Sequence, residues 1–493
     1  MAKGTDNTDQ TSILSIINTG EQSFTSLDDS EEIYLNGNVE WHKKLSAKHA
    51  FSSSANFEYD KSSANTFWDT NRAISEGFVP LEPDDIYRLE LLRQTQKRNA
   101  SFIFKHYWNI NKFNLLHTTF GNQYKAYQFV TDDSQLLDDG TVNDFSSDGF
   151  GNDLNFRWND LYAGMYYNAR VGEFEFHQSL FLHNYSWSLD QANVIKKNKW
   201  ALLPDVSIRR RSSSTGAFLR LDSSLKSSFS DVARLAGNYY LQSYNSVYIG
   251  NEDLENELSH YSSLTYSRSS LLRGLYVLGV ISYEYRINGI TSSIITKDQD
   301  RLTSPIRLRA PNQNYNGTVI AKKSTKNFKY SLTTRLNSSR SSQQINGAIS
   351  EYKNTTGSYR LSAQTLHKKF PIIEVGFKQS LGNYGSNNTT FNFLTNEPFI
   401  SLEYDFLKNF IGSFDYTHYN YQNRSTDLSN EFSIGNASLS YGKENSAWDF
   451  KVSVQNLFDV RFKKQNSFNV FVVSDQNTYV LPRIAMFSLI YKL

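Results

Sequence analysis

Four closely spaced tyrosines, Tyr239, Tyr240, Tyr244 and Tyr248, are the residues best suited to hold a ligand. Aromatic rings on a long loop can stack on sugar faces or cradle a siderophore. The same rings can also pack the loop on itself or sit at a membrane interface. A second cluster is acidic. Asp132, Asp133, Asp138, Asp139, Asp144, Asp148 and Asp153 share the stretch 131–153 with Gly140, Gly149 and Gly151. Carboxylates on a flexible loop can hold calcium, which takes about six to eight oxygens. The spacing matches no EF-hand loop, and a solvated acidic loop is the other reading. Arg209, Arg210 and Arg211 fall at a turn, where solvated charge or a lipid-headgroup contact suits them better than a specific site. The nine histidines show no metal-ligand spacing and no nucleophile neighbourhood, and no phosphate loop is present. The chain has no cysteine, which removes disulfide and thiolate chemistry. No catalytic residue, metal ligand or cofactor site is read from it, and the expected class is not an enzyme.

The elements that must carry these residues are strands. The last eleven residues, Arg483 to Leu493, alternate with Ala485, Phe487, Leu489, Tyr491 and Leu493 on one face. Leu275–Ile287 alternates as strictly. About nineteen such segments recur between Glu32 and Leu493, each near the roughly 9 to 11 residues of a tilted membrane strand. Mean hydropathy is low, at −0.53, yet aromatics make up 15% of the chain. That combination suits a membrane barrel, whose lipid-facing and lumen-facing residues average out. Eight prolines in 493 residues leave room for long ladders. A formal charge of +2 gives no reason to expect nucleic acid as a partner.

The connections alternate in length. Short ones such as Lys44–Lys48, Asn109–Lys112 and Val171–Glu173 take turns with long ones such as Lys61–Arg98, Gly121–Asp153, Ser230–Ser259 and Leu457–Pro482. Short periplasmic turns and long extracellular loops alternate in this way in outer-membrane barrels. The predicted fold is therefore all-β, a transmembrane antiparallel up-and-down β-barrel over 32–493. Its C-terminus is periplasmic and its long loops are extracellular. Residues 1–31 are expected to be a polar N-terminal segment, the remnant of an extracellular loop. Within the long stretch before Asn99, Asp84–Arg98 spaces Ile86, Leu89 and Leu92 like a short helix, with Arg93, Lys97 and Arg98 late where they suit its dipole. No signal peptide is legible at Met1, so the chain reads as a fragment or truncated product. Against a barrel of about twenty-two strands, the plugged-transporter size, roughly three are missing. The final strand then lacks its closing partner.

Three places resemble the TonB-dependent receptors of the bacterial outer membrane, especially Bacteroidota-type barrels. Gly250-Asn251-Glu252-Asp253-Leu254-Glu255-Asn256-Glu257 looks like the family's Gly-Asn-Pro-Asp-Leu-Lys-Pro-Glu, with Glu252 and Asn256 in place of its two prolines. Asn456-Leu457-Phe458-Asp459 is similar to the Asn-Leu-Phe-Asp that ends the family's penultimate strand. Pro482-Arg483 leads into a closing strand whose insertion signal would be Phe487, Leu489, Tyr491 and Leu493, although the family usually ends in Phe. The resemblance implies uptake of a scarce nutrient: a ferric siderophore, an oligosaccharide or a peptide. It also implies as partners the outer-membrane bilayer, the barrel-assembly machinery, and TonB with a plug domain, both absent from this chain. The alternative is a barrel scaffold in a larger surface assembly, with long loops docking a surface lipoprotein. A soluble adhesin or lectin is the third reading.

Overall fold

The computed structural model describes residues 2–16, 20–212, 214–297, 300–367, 371–386, 389–407, 409–425, 428–443, 446–468 and 473–491. Among them one antiparallel sheet dominates. β1 (Ala2–Ile16) pairs with β2 (Gly20–Lys44), β2 with β3 (His49–Thr70), β3 with β4 (Tyr87–Asn111), and β4 with β5 (Asn114–Leu136). The same up-and-down order continues to Trp448–Gln455 and the final strand Ile484–Tyr491. Each alternating segment read from the sequence lies in a strand of this ladder. Among the described residues no pairing joins β1 to the final strand.

Two expectations are corrected. The described part of 1–31 is not a loop: β1 and the first half of β2 form a hairpin there. Ala2–Ile16 shows no period-two pattern, so it carries no strand signal of its own and is held by the ladder of its neighbour. Asp84–Arg98 is not a helix either, because β4 begins at Tyr87. Leu89 and Leu91 are both buried and share the inner face, opposite Trp68 and Thr66 of β3. Leu92 points the other way. The spacing of three was accidental; the burial follows a period of two.

Many of the strands are longer than the roughly 9 to 11 residues expected. β2 and β4 have 25 residues each, roughly 80 Å at about 3.3 Å per residue, against a hydrocarbon core of about 30 Å. Several stretches expected as loops are the outer ends of these strands. The outward face of β4 shows where the environment changes. It reads Arg88, Glu90, Leu92, Gln94, Gln96 and Arg98, then Ala100, Phe102, Phe104, His106 and Trp108.

The apolar part of that face continues in register. Phe104 faces Phe120, Phe120 faces Ala163, Ala163 faces Leu182, and Leu182 faces Leu202. Farther along, Leu221, Leu264, Ile281, Gly317 and Leu336 form another such row. The large members of both rows are exposed. An apolar face this wide needs an apolar neighbour. The inner face carries polar pairs instead: Lys97 to Asp60 at 3.2 Å, His183 Nδ1 to Asp160 at 3.0 Å, and Lys378 to Glu397 at 2.7 Å.

The buried core sits at one end only. Segments 71–86, 137–151, 229–256, 287–297 and 300–312 all leave the wall there and form a lid. It contains two short 3-10 turns, Phe145–Asp148 and Val232–Leu235, and the hairpins Tyr239–Ser243/Ser246–Ile249 and Ile290–Lys297/Asp300–Arg307. Ser246–Tyr248 pairs with Arg301–Thr303, and Ser293–Ile294 pairs with Gln344–Ile345 of the wall. The Glu76 N–H donates to Asp300 Oδ2 at 3.1 Å, joining insertions from strands far apart in order, so the sheet curls. Phe145, Leu154, Val232 and Val247 are fully buried beneath the lid.

Candidate functional site

The lid and the space under it form the candidate site. The Tyr239–Ser243/Ser246–Ile249 hairpin lies at its centre. Tyr240 and Tyr248 are buried with ring centroids 5.3 Å apart, and Tyr240 meets Phe129 edge-on at 5.6 Å. Tyr239 packs on Phe150 and Tyr244 on Phe24, both at 5.6 Å. In the structure the rings of these tyrosines pack against one another and against neighbouring aromatics. Burial raises the pKa of both Tyr240 and Tyr248, so their phenols stay neutral at any physiological pH.

A buried ion pair grips this hairpin. Arg93 Nη1 lies 2.5 Å from Asp133 Oδ1, and the Asp133 side chain is wholly inaccessible. The Leu241 N–H donates to Asp133 Oδ2 at 2.7 Å, while Arg93 Nη2 donates to the Leu241 carbonyl at 2.7 Å. The pair thus satisfies both polar groups of one residue, as a neighbouring strand would. The Arg93 guanidinium also lies 5.3 Å from the Tyr240 ring centroid. Sequence carries no signal for this pairing: Arg93 reads as the basic end of a short helix and Asp133 as one member of the acidic cluster.

The rest of that acidic cluster is dispersed. Asp138 takes Arg88 at 2.7 Å, Asp139 caps the Thr141 N–H, Asp144 caps the Phe145–Asp148 turn, and Asp153 accepts from Gln128. No group of three or more acidic or histidine side chains poised for a metal occurs among the described residues. The carboxylates act one at a time as caps and ion-pair partners.

The Gly250–Glu257 segment fastens the lid to the wall. The Gly250 N–H donates to Ala236 O, and Asn251 N–H to Arg234 O. A side chain at Gly250 would bring its Cβ within 2.5 Å of Ala236 backbone atoms, so only glycine allows this approach. Asn251 reaches Pro305 O, Leu254 is buried in the core, and Glu257 accepts from the Ile290 N–H. Asp253 pairs with Lys197 at 3.2 Å. Glu255 pairs with Lys199 at 3.0 Å and Arg307 at 3.4 Å.

The hydrogen bond from Lys199, then the charges of Lys199 and Arg307, hold the Glu255 pKa below its ordinary 4.5. A depressed carboxylate stabilises the fold above its unfolded value and loses that contribution as pH falls through its folded one. The protection of the 250–257 amides, measured against their intrinsic exchange, is therefore expected to fall below about pH 4.5. In E255Q the same amides should exchange faster at neutral pH, with the acid step reduced. An acid step of unchanged size in E255Q would contradict this assignment.

Under the lid lies a polar cavity of about 790 Å³. Tyr240 and Tyr248 border it with Arg234, Arg286, Arg340 and Gln343. Two of the arginines have acidic partners: Arg340 makes a bidentate contact with Glu351, and Arg286 lies 4.0 Å from Glu284. Sequence alone gave no signal for these arginines, because they come from three separate segments. A second cavity of about 840 Å³ lies along the inner wall, bordered by Lys378, Glu397, Tyr419 and Lys463.

The turn Asn456–Asp459 ties off the last hairpin. Asn456 has φ +51° and Asp459 φ +54°. Asn456 Nδ2 donates to Val460 O and Leu481 O, both at 2.8 Å, and its Oδ1 accepts from the Val460 N–H. Asp459 Oδ1 accepts from the Arg483 N–H. The Leu457 N–H donates to Gly435 O. Phe458 lies against Gly435 and edge-on to Tyr416. In the final strand Phe487, Leu489 and Tyr491 are exposed and face Val452, Phe450 and Trp448. Leu493 lies outside the described residues. Of the three arginines at the turn, Arg209 points inward, and Arg210 points outward to Glu173 and over the Phe174 ring.

No family model matches the chain, and no curated protein matches it. Solved structures resemble it over nearly its whole length at low identity. The copper transporter OprC is 9% identical with a TM-score of 0.47, covering 99% of this chain and 78% of its own. BauA, the ferric preacinetobactin receptor from Acinetobacter baumannii, is 9% identical with a TM-score of 0.40, at 99% and 79% coverage. The FrpB iron transporter from Neisseria meningitidis is 9% identical with a TM-score of 0.41, at 96% and 76%. Likenesses this remote say nothing about what this chain binds.

Proposed function

We propose that this chain is the barrel of a TonB-dependent outer-membrane receptor that takes up a scarce nutrient. The observation that carries the reading is the two-sided wall. Exposed apolar rows run in register across many strands on the outside, with polar pairs on the inside. A bilayer is the neighbour that such an outer face requires. Short turns face the periplasm, the lid faces out, and the cavity beneath it receives the ligand. Ferric siderophore, oligosaccharide and peptide are the candidate classes. The inner wall also supports the expectation of a separate plug. His117 Nε2 and Arg209 Nε are buried, point inward, and have no hydrogen-bond partner among the described residues. A polar domain in the lumen would satisfy them. Barrel-assembly machinery and TonB complete the proposed partners.

The scaffold reading draws on one feature. The hairpin Phe462–Phe468/Val473–Tyr479 pairs only with itself among the described residues, and Phe462, Tyr479 and Leu481 are exposed near its base. Those side chains would be the dock for a lipoprotein.

Planar-bilayer conductance tests the main reading. The purified chain should insert and conduct, and adding the plug as a separate domain should lower the current. Failure to insert at all would overturn the membrane assignment. Insertion without any effect of a plug domain would favour the scaffold.

A further inference from the structure

The short-turn end of the wall carries a feature that nutrient uptake does not explain. On the outer face lies a groove of about 650 Å³, almost wholly apolar. Its floor is small, at Ala321 and Ala363; its sides include Tyr330, Leu332, Leu361 and Phe377. Register places these side chains in two adjacent outward rows. One row is Leu275, Lys323, Tyr330, Ala363 and Val375; the other is Val277, Ala321, Leu332, Leu361 and Phe377. Above them Gly279 and Gly317 leave the trough shallow: a Cβ at Gly279 would meet nothing within 4 Å, and one at Gly317 only Leu336.

The groove is charged at one end. Lys323 and Lys326 are exposed beside the turn 325–327, and Arg273 is exposed on the adjoining turn. Lys323 Nζ donates to Arg273 O, drawing the two turns together. No ion pair to any of these three cations occurs among the described residues, and no acidic residue falls in 271–275 or 321–330. A strip of cations ending an apolar trough is the complement of a phosphodiester with an attached acyl chain.

We propose that this groove is a binding site for an anionic phospholipid, with one acyl chain along Ala321 and Ala363 and the headgroup phosphate at Lys323 and Lys326. The site rests on the membrane-spanning reading but not on transport. Each cation near such a headgroup adds roughly fivefold to its affinity. The bound lipid would fix the height of this part of the wall in the leaflet that contacts the short turns.

Native mass spectrometry tests the site. The chain is reconstituted in vesicles of equal parts phosphatidylglycerol and phosphatidylethanolamine, then extracted gently. Wild type should retain phosphatidylglycerol preferentially. The variant K323E/K326E should lower that retention about tenfold or more, and A363W, which fills the floor without changing charge, should lower it comparably. K196E, at the opposite end of the wall, should leave it unchanged. Glycerol phosphate in excess should not displace the lipid, since the chain supplies part of the binding; displacement would reassign the site to a free phosphate and overturn the proposal. Equal retention of both lipids by wild type, or wild-type retention in both groove variants, would also overturn it. Failure of wild type to enter vesicles would instead count against the membrane reading itself.

Discussion

Replacing Arg93 by alanine is expected to release the Tyr239–Ile249 hairpin from the wall. The substitution strands the Asp133 carboxylate, which is fully inaccessible, with only the Leu241 N–H for company. Breaking one side of a buried pair costs about 3–5 kcal/mol, because the remaining charge is uncompensated. It also leaves the Leu241 carbonyl without its donor. The lid has few alternatives for meeting that cost other than opening. Protection of the Leu241 amide against hydrogen exchange should fall by about two to three orders of magnitude, while amides of the lower wall keep theirs. The double variant R93M/D133L separates charge from contact. It removes both charges and fills the space, so it should recover most of the loss in stability. It cannot replace the two bonds to Leu241, so hairpin protection should return only in part. If R93A leaves Leu241 fully protected, the pair does not hold the lid.

The second large effect is expected at Asn456. Alanine there removes the bonds to Val460 and Leu481 and the acceptor for the Val460 N–H, each contributing about 1 kcal/mol. It also places a non-glycine residue at φ +51°, where alanine costs about 1 kcal/mol more than asparagine or glycine. Together N456A should destabilise the last hairpin by roughly 3–4 kcal/mol. N456G keeps the backbone conformation and loses only the bonds, so it should be milder by about 1 kcal/mol. The readout is heat-modifiable migration on gels. The folded band should weaken in the order wild type, N456G, N456A. Equal folded fractions in all three would show that the turn does not set the closing register.

Why these two positions matter was only partly legible from the residues. The wall was legible because alternation runs strictly along each strand, apolar on one face and polar on the other, so segments such as Leu275–Ile287 announce themselves. Asn456 and Gly250 were visible through a resemblance, but their work was not. One is a turn whose side chain spans 25 residues to Leu481, and the other a point where two backbones touch. The lid was illegible because its contacts join insertions that no local pattern connects. Arg93 reads as the end of a helix and Asp133 as part of an acidic loop, and only the extension of β4 and β5 beyond the apolar band brings them together. The same extension misled the reading of 84–98, where the faces of the strand change roles: Leu89 and Leu91 turn inward toward the lid, while Phe102 and Phe104 turn outward. β1 was missed for the opposite reason, since nothing in Ala2–Ile16 alternates.

The lid contacts also imply an order of events in assembly. Each wall pairing joins strands that follow one another directly or across one inserted segment, so the wall can form hairpin by hairpin, each step closing a modest loop. The lid bonds span 108 residues from Asp133 to Leu241, 148 from Arg93 to Leu241 and 224 from Glu76 to Asp300. Contacts this distant in sequence cannot form until the wall has brought their anchors together. Refolding should therefore show two kinetic phases: strand formation first, then a slower quenching change as Trp68, Trp158 and Trp187 become buried. R93A should abolish part of the second phase and leave the first intact.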